Sequence, residues 1–241
     1  QAKDPVLNFE NHLLEQKIIS QDQISEIKEN ILQEINEHLE IANSEAIVSA
    51  DLETELKDVY ADREFENVQP ASTTSELRFI DAIAASVSES MGRHPNLVLM
   101  GQDIADYGGV FKITDGLLNK YGRERIRNTP ICESAIVGTA MGLSIKGMKA
   151  MVEMQFSDFV SSGFNPIVNY LAKVNYRWNQ NADVVIRMPC GGSVGAGPFH
   201  SQTNEAWFTK IPGLKVIYPA FPADAKGLLN TAFNDPNPVL Y

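Results

Sequence analysis

Glu133 stands at the head of an apolar run, in NTPICESAIVGTAMGLSIKG (128–147). A carboxylate there meets the positive end of a helix dipole, which favours its ionised form, while desolvation opposes it. A group held between those influences can share a proton with a ligand nitrogen. Capping of the helix explains the same position and, for this residue alone, is the simpler account. His200 closes a glycine-rich stretch, CGGSVGAGPFHSQTNEAWF (190–208). A mobile loop presenting an imidazole suits an active-site gate with a proton-transfer group, and a surface histidine explains it equally. The stretch has neither the G-x-G-x-x-G of a dinucleotide site nor the Gly-Lys-Ser/Thr ending of a P-loop. Glu153 and Gln155 alternate with Val152, Met154 and Phe156 on a strand that should be buried on both faces, so each needs a partner. A ligand is one such partner; a neighbouring loop is the commoner one. Thr114-Asp115-Gly116 opens an amphipathic helix, which gives it a turn-and-cap role.

The elements that must position these groups follow from periodicity. Residues 76–91 read as a helix leading to the apolar strand NLVLMG. After a loop with Gly108 and Gly109 come a helix through Leu117 and Leu118, a strand near 125–127, and the helix that Glu133 opens. Gly138 and Gly142, four apart, leave one face of that helix open to close approach. The strand AMVEMQF, a helix over about 160–177, the strand DVVIRMP, the glycine-rich loop, the strand KVIYP and a helix from about 222 complete the pattern. Strands alternating with helices predict an α/β fold with a mostly parallel sheet covered on both faces. Ligands then sit beyond the carboxyl ends of the strands, where Glu133, Gln155 and the loop after Arg187 fall.

The front of the chain obeys other rules. Asp4 and Pro5 open one helix, and Ser20 with Gln23 forms a capping box for a second. Ile24, Ile27, Ile31, Ile35, Leu39 and Ala42 recur at spacings of three and four with acids opposite, an α-helical tail whose stripe should pack on a neighbour. QPASTTS reads as a linker, and LKDVYA (56–61) as a short docked piece. Residues 1–66 hold 17 of the 31 acidic residues but only 5 of the 20 basic ones. An acidic front and a neutral body exclude nucleic acid as a partner and point to two pieces of different origin. The 44% hydrophobic content is that of a globular protein, with no membrane span and no signal segment. Cys132 and Cys190, without metal-ligand spacing, place the chain in a reducing, cytoplasmic setting. The start at Gln1 and the stop at NPVLY, where a buried strand should be under way, read as an excised fragment.

GQDIADYGGVFKITDGLLNKYG, NTPICESAIVG, VEMQFSDFV and GPFHSQTNEAWF, in that order, resemble the β subunit of the thiamine-diphosphate-dependent 2-oxo acid dehydrogenases, the decarboxylating first component of those complexes. The resemblance covers 76–241 and implies the pyrimidine-binding domain of that subunit, truncated at its C-terminal end. Residues 1–60 are similar to the C-terminal tail of the α subunit, joined through a linker at 61–75, which implies a natural fusion. By this resemblance Glu133 hydrogen-bonds the aminopyrimidine ring of thiamine diphosphate and favours the tautomer that lifts the thiazolium proton. Ile131 and Gln155 line the pyrimidine pocket, Phe159 stacks near the ring where some relatives carry tyrosine, and His200 handles protons in decarboxylation or acyl transfer. Some relatives hold potassium through segments matched by ADVV and AFNDPN, implying Val184, Val185, Ala232, Asp235 and Asn237. The Gly-Asp-Gly…Asn motif that binds Mg2+ and the diphosphate belongs to the α part and is not in these residues, so the chain alone is expected to be inactive. The implied reaction is oxidative decarboxylation of a 2-oxo acid with acyl transfer to a lipoyl group on the acyltransferase component. Branched-chain 2-oxoisovalerate is favoured as substrate, with pyruvate next and acetoin cleavage third. The implied partners are the α-like part, the acyltransferase and further copies of the chain. A non-catalytic assembly module is the rival reading, and a transketolase-type enzyme is disfavoured by the α-like tail.

Overall fold

The computed structural model describes residues 3–64, 69, 72–192 and 195–241. Part of the expected linker (65–68, 70 and 71) and residues 193 and 194 of the glycine-rich stretch lie outside the described residues. Two compact units are present, 1–50 and 51–241.

The first unit is a pair of helices, α1 (Pro5–Glu15) and α2 (Gln21–Ser44). The Asp4 carboxylate accepts from the N–H groups of Val6 and Leu7, and Ser20 and Gln23 form the reciprocal capping box, so orphan donors at both helix starts are satisfied. Lys28 on α2 bridges to Glu10 on α1 at 2.7 Å. Of the expected apolar stripe Ile24 is buried, whereas Ile27, Ile31, Ile35 and Leu39 remain about half exposed.

The second unit is a parallel sheet with helices on both faces. Its elements are α3 (Leu52–Asp58), α4 (Phe79–Arg93), β1 (Leu97–Gly101), α5 (Leu117–Tyr121), β2 (Ile126–Asn128), α6 (Glu133–Ile145), β3 (Lys149–Glu153), α7 (Phe164–Asn169), α8 (Val174–Trp178), β4 (Val184–Arg187), β5 (Lys215–Val216), α9 (Pro222–Ala232) and β6 (Val239–Leu240). The strand order is β2-β1-β3-β4-β6-β5, and every pairing is parallel. Alternation along β1 explains the layering: Leu97 and Leu99 join a core with Val87 and Met91 of α4, Leu229 of α9 and Phe233 just after it. Val98 and Met100 face the other core, with Ile136, Val137 and Ala140 of α6. The expected helix over 160–177 is broken into a 3-10 stretch (Ser157–Gly163), α7, a 3-10 turn (Leu171–Lys173) and α8. Pro166 has no N–H to continue the helical ladder, and Tyr170 leaves helical geometry at φ −117.

The stretch 56–61 docks on this unit. Tyr60 Oη donates to the Leu214 carbonyl at 3.2 Å, and Asn237 holds Ala61 from both sides, accepting its N–H at 2.7 Å and donating to its carbonyl at 3.1 Å. Beside it Asp235 receives Lys215 Nζ at 2.6 Å and Arg63 Nη1 at 2.9 Å. Burial pushes the Asp235 carboxyl up, but Lys215 and the Asn237 donors outweigh it and hold the group below its ordinary 3.8. A carboxyl depressed in the folded state stabilises above its unfolded pKa, and that stabilisation fades as pH falls through the folded value. In urea unfolding, the stability gap between wild type and Asp235→Asn is therefore expected to be widest at about pH 7 and to shrink toward about pH 3; a gap independent of pH would contradict it.

Candidate active site

β1 leads to β2 on one side and is flanked by β3 on the other, so the chain reverses its progress across the sheet at the β1–β3 gap. A crevice opens beyond the carboxyl ends of strands at such a point. Gln102 and Asp103 follow β1 directly, and Gln155 lies two residues past the end of β3 rather than on the strand as expected. Gln155 Nε2 donates to Asp103 Oδ2 at 3.3 Å, bridging the gap. Asp103 takes a left-handed φ of 57 to turn the chain there. The loop after β1 is tied down by Ala105 N–H donating to Asn128 Oδ1 at 2.7 Å and Thr114 Oγ1 donating to the Ile104 carbonyl at 2.6 Å.

Glu133 is the first residue of α6 and only 8% exposed. Cys132 occupies the cap position with no side-chain cap bond. The contact made by the Glu133 carboxyl is with Gln102, whose Nε2 donates to Oε1 at 3.2 Å. The helix cap thus gives way to a cross-element contact made through Oε1 of a buried carboxyl. Gly138 and Gly142 on the same helix are exposed, with no atom within 4 Å of where a Cβ would stand.

Aromatic rings form the far wall. His200 packs edge-on to Phe156 at 4.8 Å and to Phe159 at 5.4 Å between ring centroids, and Phe111 meets Phe156 at 5.7 Å. The segment carrying His200 is stitched to the turn after β3: Ser157 Oγ donates to the Gln202 carbonyl at 3.1 Å, and Asn204 Nδ2 donates to the Ser157 carbonyl at 2.9 Å. Sequence reading missed Gln102, Asp103 and Asn204; the first two follow a predicted strand directly, and Asn204 sits in the glycine-rich stretch four residues after His200. Glu153, by contrast, finds its partner within the sheet. It pairs with Arg187 of β4 at 2.7 Å, with side chains 2% and 5% exposed.

Residues 75–240 match the family model described as transketolase, pyrimidine binding domain. The chain belongs to this family. Similar curated proteins are the 2-oxoisovalerate dehydrogenase subunit beta of Bacillus subtilis, 43% identical over 169 residues (69% of this chain, 52% of that one). The pyruvate dehydrogenase E1 component subunit beta of Acholeplasma laidlawii is 42% identical over 167 residues (68% and 51%). The chain therefore spans about half the length of the curated relatives it matches. Among solved structures, "Split gene transketolase, inactive beta4 tetramer" aligns with a TM-score of 0.55 at 21% identity, covering 68% of this chain and 50% of that one, a likeness of fold.

Within this pyrimidine-binding domain, Glu133, Gln155, Phe159 and His200 lie on one edge of the sheet, beyond the ends of β2, β3 and β4. Ile131 is on the same edge, two residues before α6, and is 84% exposed. The residues expected to hold potassium all make contacts within the fold. Val184 and Val185 lie inside β4, with their backbone in the ladders to β3 and β6. The Ala232 carbonyl accepts from the Asp235 N–H, and the Asp235 carboxylate already faces the two cations Lys215 and Arg63, which would repel a third. Among the described residues, no three His, Cys, Asp or Glu side chains converge as metal ligands.

Proposed function

We propose that this chain is the pyrimidine-binding part of the decarboxylating component of a 2-oxo acid dehydrogenase. In this reading 1–60 is the tail of an α-like part, 61–75 a linker and 76–241 the β-like domain. The observation that carries the reading is the buried Glu133 carboxyl held by Gln102 at the reversal point of the sheet, with Gln155 and the Phe156–Phe159–His200 cluster placed after the neighbouring strands. A flat, partly apolar heteroaromatic ring with polar nitrogens fits such a crevice, which offers one carboxyl, one carboxamide and edge-on aromatics. That is the chemistry of the aminopyrimidine of thiamine diphosphate.

When bound, that cofactor supplies a nucleophilic carbon and an electron sink for decarboxylation. Glu133 holds a proton at its Oε2, shared with a ring nitrogen, and Gln102 fixes the orientation of that carboxyl. Gln155 and Phe159 orient the ring, and Ile131 becomes covered only when a second surface closes the crevice. His200, clamped against Phe156 and Phe159, moves a proton to or from the reacting acyl group. Diphosphate and Mg2+ fall to the α-like part. Further partners in this reading are a lipoyl-bearing acyltransferase and additional copies of the chain, in the cytoplasm.

For substrate we favour branched-chain 2-oxo acids, with pyruvate the alternative, because relatives of both kinds are about equally similar. The test is 2-oxo acid decarboxylation with an artificial electron acceptor, using the chain assembled with its α-like part and a panel of 2-oxoisovalerate and pyruvate. His200→Ala is expected to lower kcat by about 10²–10⁴-fold while thiamine diphosphate still binds. No turnover of either acid by the assembled protein, with cofactor and Mg2+ present, would favour a non-catalytic assembly module.

A further inference from the structure

We propose that Asp158 is the residue that positions His200, holding the imidazole at the ring wall through the backbone that follows it. This rests on the reading of His200 as a proton-handling group. Asp158 lies in the first turn of the 3-10 stretch Ser157–Gly163, next to Phe159, and is 8% exposed. Its Oδ1 accepts the N–H of Gln202, two residues beyond His200, at 3.3 Å. One side chain thus ties the segment carrying Phe159 to the segment carrying His200, the two rings that meet at 5.4 Å.

The loop needs such a tie. Gly191, Gly195 and Gly197 all take left-handed φ values, and residues 195–197 directly before the turn at His200 have no strand or helix. The His200 N–H reaches only the Gly197 carbonyl, at 3.3 Å, within the same loop. Fixing the imidazole therefore depends on bonds to the turn after β3, and Asp158 supplies a buried carboxylate as acceptor for a loop N–H. The other two stitches, from Ser157 and Asn204, run between neutral groups and bind the Gln202 and Ser157 carbonyls. Asp158 alone of the three receives the backbone donor.

The second oxygen argues for more than a packing role. Among the described residues, Asp158 Oδ2 is buried with no hydrogen-bond partner, and so is Ser201 Oγ, which lies between His200 and Gln202. Buried polar atoms left unpaired are unfavourable and persist where a site is built for something other than stability. An asparagine would serve the Gln202 N–H as well with its carbonyl oxygen, and an apolar side chain of similar size would not.

The experiment compares Asp158→Asn and Asp158→Leu in two readouts. The first is NMR of the chain, following the His200 ring protons, which the Phe156 and Phe159 rings shift, and exchange of the Gln202 amide. The second is kcat and KM of the assembled enzyme. Asp158→Leu is expected to move the His200 ring signals toward those of a solvent-exposed histidine and to lower kcat by about 10²-fold, with KM within about threefold. Asp158→Asn is expected to restore both. If the leucine variant fails to fold, the wild type still decides: its Gln202 amide should exchange at least about tenfold more slowly than that of exposed Thr203. The proposal is overturned if Gln202 exchanges as fast as Thr203, if asparagine is as damaging as leucine, or if the change is confined to KM. Full activity in His200→Ala would remove the reading of His200 while leaving the NMR arms to judge the clamp, so the two failures are distinguishable.

Discussion

Glu133→Gln is expected to lower 2-oxo acid decarboxylation by about 10³-fold, within the range of a lost acid–base group, while the fold and the affinity for thiamine diphosphate change little. The substitution preserves shape. A glutamine carbonyl at Oε1 still accepts from Gln102 Nε2, and the α6 start loses no cap because Glu133 supplies none. What disappears is the proton that a carboxyl can share at the crevice. A retained amide cannot take that part at any working pH, so the loss should not recover between about pH 6 and 8. The measurement is single-turnover decarboxylation beside calorimetric binding of the cofactor. Loss of binding together with activity would make Glu133 a binding group only, and near-normal turnover would reduce it to a structural carboxyl at the head of a helix.

Gly213→Ala should be the most damaging single-methyl change in the domain, destabilising it by more than about 4 kcal/mol, a large part of a typical folding free energy. Gly213 has φ +89, and a Cβ there would lie 1.8 Å from the carbonyl oxygen of Ala172. That carbonyl belongs to the buried 3-10 turn between α7 and α8, so the obstacle is backbone that cannot rotate aside. The left-handed conformation adds roughly 1–2 kcal/mol for any residue with a Cβ. Gly142→Ala is the matched control. It lies on an exposed face of α6, meets nothing within 4 Å, and should gain about 0.5–1 kcal/mol from helix propensity. Urea unfolding of the two variants side by side decides the matter; equal stabilities would mean that the Ala172 turn can move.

The strands that carry the site were legible because apolar runs buried on both faces leave little choice of element. NLVLMG, AMVEMQF and DVVIRMP became β1, β3 and β4 within a residue or two at the start of each. Their ends were less legible: Gln155 was placed on a strand because the polar–apolar alternation continues past Glu153, although pairing stops there. The helix expected over 160–177 failed for a local reason, since its apolar spacing is helical but Pro166 and the turn at Tyr170 interrupt the hydrogen bonding. Glu133 and His200 stand out in the sequence because their residue types promise chemistry, and Phe159 only through the resemblance. Gln102, Asp158 and Asn204 do not, because an amide or a carboxylate in a loop has no signature until its partner across the fold is known. The surroundings of Asp235 were hidden for the same reason in reverse. Asp235 and Asn237 match a spacing, yet Arg63, 172 residues away in sequence, helps to neutralise the carboxylate that the spacing offered.

The Glu153–Arg187 pair has a consequence for how the sheet assembles. The two residues stand opposite each other in the β3–β4 register, at the ends of their strands and almost free of solvent. Sliding β4 by one position would turn its charge to the other face and strand both ions in an apolar interior, an error far more unfavourable than misplacing a valine. Val184, Val185 and Ile186 are nearly interchangeable in a shifted pairing, so the apolar strands alone discriminate poorly between registers. The ion pair acts as a key cut for one alignment, and that alignment sets how far the chain beyond β3 and β4 projects, and so where Gln155 and the loop bearing His200 emerge.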